Sequence, residues 1–99
     1  MGAPGIAHGG AVATVFDDLF GYLLFLIGEL AVTRNLEIEY LLPARLDVPY
    51  TLTALLDRRE ARRLHLSAHL REPSGREIAT ATALFMTVTV DHFAQALET

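Results

Sequence analysis

The chain has no cysteine, which removes disulfides, thiolate nucleophiles and cysteine-based zinc sites together and suits a reducing compartment; the cytoplasm is the expected location. Lysine is absent as well, so eight arginines carry all the fixed positive charge against twelve acids, for a net charge of -4. That balance offers no basic stripe of the kind a phosphate backbone needs, and nucleic acid is not expected as a partner. The first ten residues lack the basic region of a signal peptide. The apolar stretch from Ala11 to Leu30 has the length of a bilayer span, but Asp17, Asp18 and Glu29 fall inside it. A single aspartate at mid-bilayer costs roughly 2.5–3.5 kcal/mol on insertion scales, so no membrane association is expected. No repeat, low-complexity tract or linker interrupts residues 1–99, which read as one domain.

What is abundant is apolar. Hydrophobic residues make up 52% of the chain and the mean hydropathy is +0.32, more than a lone domain of this size needs to bury. Self-association is therefore expected. Ala11 to about Leu30 reads as one buried helix, in which Gly21 and Gly28 lower helix propensity but allow another backbone to come close. From Arg34 the period changes to two. Leu36, Ile38, Tyr40 and Leu42 alternate with Glu37, Glu39 and Leu41 until Pro43, a strand with one buried face. Val48, Tyr50, Leu52, Ala54 and Leu56 make a second series, and the charged run Asp57-Arg58-Arg59-Glu60 reads as the turn that closes it. Leu64, Leu66, Ala68 and Leu70 alternate with Arg63, His65, Ser67, His69 and Arg71 up to the turn Pro73-Ser74-Gly75. Ile78 to Val90, rich in Thr and Val, is the fourth strand, and Asp91 to Thr99 a short tail. One helix followed by four strands on short turns predicts an α+β domain, an antiparallel meander packed on the helix.

The chemistry-bearing residues gather at the helix. His8-Gly9-Gly10 opens it, and Asp17 and Asp18 lie two turns in. A helix N-terminus presents free N-H groups backed by the positive end of the dipole, a place where an oxyanion is stabilised. Burying an unpaired charged aspartate in an apolar helix costs several kcal/mol, so at least one of the pair is expected to be functional. They point about 100° apart, so one site uses one of them. His65 and His69, four residues apart on one strand, stand about 13 Å from each other, too far for one metal, and are expected to face solvent. The Arg58, Arg59, Arg62 and Arg63 cluster reads first as a solvated hairpin face, and second as a contact for phosphates.

Gly5-Ile6-Ala7-His8-Gly9-Gly10 with Asp17 nine positions after the histidine resembles the hotdog-fold acyl-CoA thioesterases of the phenylacetic-acid-pathway type, within the 4-hydroxybenzoyl-CoA thioesterase superfamily. Thr33-Arg34-Asn35-Leu36-Glu37-Ile38-Glu39-Tyr40-Leu41-Leu42-Pro43-Ala44 is similar to the family's strand that begins with Thr or Ser and ends in Pro-Ala. Arg71-Glu72-Pro73-Ser74-Gly75-Arg76-Glu77-Ile78-Ala79 is similar to its last hairpin. Together these matches run from residue 5 to about residue 90.

The resemblance implies a hotdog fold, an antiparallel sheet wrapped around one long central helix and paired into homodimers or homotetramers, with sites at the subunit interface and no metal or other cofactor. It assigns carbonyl polarisation mainly to the Gly9 amide, with His8 shaping the loop and Gly10 beside the substrate. Asp17 would be general base or nucleophile, and Thr33 would orient water and carboxylate. Arg58 and Arg59 would meet the phosphates of coenzyme A. Geometry independently calls for two chains: with the helix starting near Gly10, Asp17 lies about 10 Å along its axis, so the N-terminus of one helix must serve the Asp17 of another.

The chain also departs from the pattern. Gly2 stands where the family has an Asn six positions before the histidine, Asp47 where it has Gly, and only seven residues precede His8; the N-terminal segment is expected to be short or missing. The expected function is hydrolysis of an acyl-CoA thioester. The alternatives are a non-catalytic hotdog module that binds acyl-CoA or a partner protein, and a hydratase or dehydratase. Phe16, Phe20, Tyr22 and Phe25 are candidates both for the acyl pocket and for the core.

Overall fold

The computed structural model describes residues 9–89. It contains helix α1 (Gly9–Leu26) and strands β1 (Ala31–Tyr40), β2 (Thr51–Glu60), β3 (Arg63–Arg71) and β4 (Glu77–Thr87). The helix begins two residues earlier and ends four earlier than the sequence suggests. Its end is set by Gly28, whose φ of 73° is a left-handed conformation that costs glycine nothing. Glu29 N-H donates to the Leu24 carbonyl at 3.0 Å and Gly28 N-H to Phe25 at 3.1 Å, the two bonds of a Schellman cap.

All four strands are antiparallel, in the order β1-β4-β3-β2, so the meander expected from short turns holds only for β2, β3 and β4. β1 pairs with the last strand. The segment 41–50 therefore crosses the width of the sheet, three strand spacings or about 14 Å. It is pinned on the way by Leu41 and Leu42 N-H groups donating to the Ile78 carbonyl at 2.9 and 3.1 Å. Further along it, Arg45 N-H donates to the Tyr50 hydroxyl at 2.7 Å.

The charged run 57–60 is strand, not turn. β2 continues through it, paired to β3, with a bulge between Leu56 and Arg58; charge does not stop a strand whose one face is wet. The chain reverses instead at Ala61, which takes a φ of 52°. The last turn comes out as read: Gly75 N-H donates to the Glu72 carbonyl at 2.8 Å, with Gly75 at a φ of 93°. Val90 and the tail from Asp91 to Thr99 lie outside the described residues.

Alternation decides the core. Leu64, Leu66, Ala68 and Leu70 of β3 and Ala79, Ala81, Ala83 and Phe85 of β4 face the helix and are buried. The small alanines let α1 settle onto the sheet. Phe16 and Phe20 are fully buried, and Phe20 meets Phe85 edge to face with centroids 6.1 Å apart, the favoured geometry for two aromatic quadrupoles. Phe20 is thus core rather than pocket, whereas Phe16, equally buried, also lines an apolar groove beside the helix.

Candidate functional site

Asp17 and Thr33 come from different elements and border the same cleft, of about 350 Å³, between the exposed flank of α1 and the start of β1. Gly21 and Phe25 continue the helix wall from Asp17, Leu30 and Ala31 line the opposite side, and Leu24 and Phe85 also line it. Glu29 lies on it too, and its carboxylate accepts from the Arg59 guanidinium at 2.6 Å. Thr33 reaches the cleft because β1 carries an irregularity between Thr33 and Asn35, which leaves Thr33 in register with the helix-facing Phe85.

Asp17 and Asp18 are both exposed on this chain, so the burial argument for a functional aspartate does not hold within one subunit. What separates the two residues is direction: only Asp17 lies on the cleft with Thr33. Gly9 is the first helical residue and Gly10 the second; His8 lies outside the described residues. Eight positions along a helix are about 12 Å, so the Gly9 end of a helix and its own Asp17 do not share a site.

Arg58 and Arg59 point to opposite faces of the sheet. The β2 bulge switches the alternation, so Arg59 pairs with the helix-facing Leu64 and Arg58 with His65 on the outer face. Arg58 is paired with Glu60 at 2.8 Å and Arg59 with Glu29 at 2.6 Å. Each guanidinium has five N-H donors, and these contacts leave part of each fork available. His65 and His69 lie on that outer face half-buried and partnered rather than bare to solvent. His65 Nε2 stands 3.1 Å from Glu60 and His69 Nδ1 2.5 Å from Glu77. Among the described residues no group of three His, Asp or Glu is arranged to hold a metal ion, and no helix is long and apolar enough to cross a membrane.

Gly21, Leu24, Leu30, Glu29 and Phe85 also line the cleft, though none of them belongs to a site motif in the sequence. The available signal was the helical step of four from Asp17 to Gly21 to Phe25, which places all three on one flank. Apolar surface near the cleft is extensive: Tyr22, Leu26 and Phe25 are 60%, 61% and 77% exposed. A second, apolar groove of about 330 Å³ flanks the helix on the side of Val15, Leu46 and Tyr50, away from Asp17.

The sequence pattern of the thioesterase superfamily matches residues 4–79. The chain is 35% identical over 92 residues to acyl-coenzyme A thioesterase THEM4 of Rattus norvegicus, covering 92% of this chain and 40% of that one. It is 36% identical over 73 residues to acyl-coenzyme A thioesterase THEM5 of Homo sapiens, covering 72% and 30%. The chain thus spans less than half the length of these curated relatives. Among solved structures, a thioesterase superfamily protein superposes with a TM-score of 0.81 at 29% identity, over 87% of this chain and 42% of the other. A hypothetical thioesterase of Streptococcus pneumoniae TIGR4, crystallised with coenzyme A, shares the fold at a TM-score of 0.81 and 24% identity, over 89% and 71%.

Proposed function

The chain belongs to the thioesterase superfamily, and from that premise we propose that it hydrolyses an acyl-coenzyme A to the free acid and coenzyme A at a site shared by two subunits. The observation that carries this reading is the joint placement of Asp17 and Thr33 on one cleft, with a helix N-terminus too far away to belong to the same copy. Sixteen positions separate the two residues. The S. pneumoniae thioesterase was crystallised as variants in which an aspartate and a threonine, also sixteen positions apart, were each replaced by alanine.

A two-fold dimer through β1 supplies the missing half. β1 is an edge strand, and an antiparallel copy beside it would set the partner's Tyr40 end against Thr33. The residues after Tyr40, up to Ala44, share a hollow with Val12 near the start of α1, so the partner's helix N-terminus would arrive with them. The exposed apolar side chains would be covered in the same step.

In that arrangement the thioester carbonyl lies between the Gly9 amide of one subunit and the Asp17 carboxylate of the other. The Gly9 N-H and the helix dipole would stabilise the oxyanion, with Gly10 and His8 shaping the approach. Asp17 would either take a proton from the attacking water, which Thr33 orients, or attack the carbonyl itself to give an anhydride that water then opens. Both routes expel the coenzyme A thiolate, which is protonated on leaving. The donors of Arg59 not used by Glu29 would meet its phosphates; Arg58, on the outer face of the sheet, would not. No metal or other cofactor enters this scheme, and the cytoplasm is the proposed setting.

The test is thiol release from an acyl-CoA panel by wild type, Asp17→Ala and Asp17→Asn, with solution mass measured alongside. Both variants should lose hydrolysis while the dimer, or a dimer of dimers, persists. Unchanged turnover would remove Asp17 from its role, and a monomeric wild type would dismantle the shared site. Acyl-CoA binding without thiol release from wild type would instead favour the non-catalytic binding module.

A further inference from the structure

We propose that the chain just before α1 folds back into the apolar groove on the Val15 side of the helix, with Ile6 as its anchor, and that this seat positions the Gly9 amide. The seat follows from the groove; its catalytic role rests on the thioesterase reading, in which Gly9 meets the oxyanion.

The groove is built by the first two turns of α1, through Ala11, Val12, Val15 and Phe16, and by Leu46, Tyr50 and Leu52 across from them. Val15, Leu46 and Leu52 are 42%, 71% and 36% exposed, so a hollow of about 330 Å³ presents apolar side chains to water, and covering them is favourable. A second copy docked through β1 does not cover them. It meets the flank of α1 that carries Asp17, whereas Leu52 belongs to β2, at the opposite edge of the sheet.

Residues 1–8 are the chain nearest at hand. They lead directly into Gly9, the first residue of α1, and carry no Asp, Glu, Lys or Arg. Ile6 stands three positions before the helix, within about 10 Å of Gly9 along the chain, and Ala11 and Val12 lie only about 3 and 4.5 Å up the axis from it. An apolar residue just ahead of a helix commonly packs against the fourth helical position. Counted from Gly9 that position is Val12, which lines the groove. Pro4-Gly5, directly before Ile6, is a turn-forming pair that suits a chain doubling back.

This helix start also needs holding. Gly9 and Gly10 open it, and glycine is the poorest helix former after proline. No acidic side chain stands in the first turn to complement the positive end of the dipole. An anchored Ile6 would fix the direction in which the chain enters α1, and with it the aim of the Gly9 N-H.

Because the chain has no cysteine, introduced pairs report the seat directly. Ile6→Cys is combined with Val15→Cys or Leu46→Cys in the groove, or with Thr14→Cys, which neighbours Val15 on the helix but does not line the groove. Disulfide formation within one chain is then timed under mild oxidation. Both groove pairs should close at least about tenfold faster than the Thr14 pair, because a seated segment raises the local concentration of one thiol at the other. In parallel, Ile6→Asp, which puts a charge on the anchor, should lower kcat for acyl-CoA by up to about a hundredfold, with a smaller change in KM and unchanged helix content. Ile6→Val should keep most of the rate. Equal closure of all three pairs would overturn the seat. An unchanged kcat in Ile6→Asp would overturn the positioning role, and so would a loss confined to longer acyl chains, which would give the groove to the substrate. If the groove pairs close as expected but wild type releases no thiol, the seat stands and the hydrolytic reading falls.

Discussion

The Arg59 guanidinium donates to the Glu29 carboxylate at 2.6 Å, joining β2, at one edge of the sheet, to the connection that leads into β1 at the other. Opposite edges are brought within reach because the sheet curls around α1, and the β2 bulge turns Arg59, not Arg58, to the helix side. Both side chains keep solvent contact, at 46% and 25% exposure, so the pair adds less than about 1 kcal/mol to stability. Arg59→Ala should therefore lower the melting temperature only slightly. If its remaining donors meet the phosphates of coenzyme A, the variant raises KM for acyl-CoA but not for the same acyl group on N-acetylcysteamine, which has no phosphate. Equal KM changes on both carriers would place Arg59 in the fold alone.

Thr33→Ala tests positioning. If the Thr33 hydroxyl orients water beside Asp17, its loss lowers kcat by up to about a hundredfold, the cost of a misplaced reacting group, with a smaller change in KM. Thr33→Ser, which keeps the hydroxyl, should restore most of the rate. A kcat unchanged in Thr33→Ala would make Thr33 a lining residue only.

Ala61 is the one non-glycine residue with positive φ among the described residues. A Cβ in the left-handed region costs roughly 1–2 kcal/mol, part of which glycine returns through its freer unfolded chain. Ala61→Gly should therefore stabilise the β2-β3 hairpin by about 0.5–1 kcal/mol, raising the melting temperature by roughly 2–8 °C for a domain of this size. A lower melting temperature would mean that the turn tolerates alanine without strain.

Glu72 supplies a pH-dependent contribution. The hydrogen bond from Arg76, at 3.0 Å, is the largest influence holding its carboxyl below the usual carboxylate range, and Ser74 adds a smaller one in the same direction. A carboxyl whose folded pKa is depressed adds stability above its unfolded pKa and loses it as the pH falls through the folded one. Wild type should thus lose melting temperature more steeply on acidification than Glu72→Gln, with the two curves converging at low pH. Parallel curves across the acid range would show that the pair adds nothing.

Much of the fold is legible in the residues. Two-residue alternation fixes β3 and its buried face, but of the face read for β1 only Leu36 and Ile38 are partly covered, while Tyr40 is 51% exposed and Leu42 lies beyond the strand; Pro73-Ser74-Gly75 marks the last turn, and the long apolar run forms the helix. Alternation is less able to say where a strand stops. The wet end of β2 carries four charged residues in succession, and their backbones still pair with β3.

The sequence by itself determined the helix, the inward face of β3, the absence of cysteine chemistry and the motifs whose family resemblance nominates Gly9, Asp17 and Thr33. Tertiary structure alone decided which strand lies beside β1, because pairing between distant segments depends on how the whole sheet closes over α1. It also decided that Asp17 borders one cleft with Thr33 and Gly21 rather than with Gly9: helical rise puts Gly9 about 12 Å along the axis, while the return of the chain through β1 lays Thr33 beside the same flank of the helix.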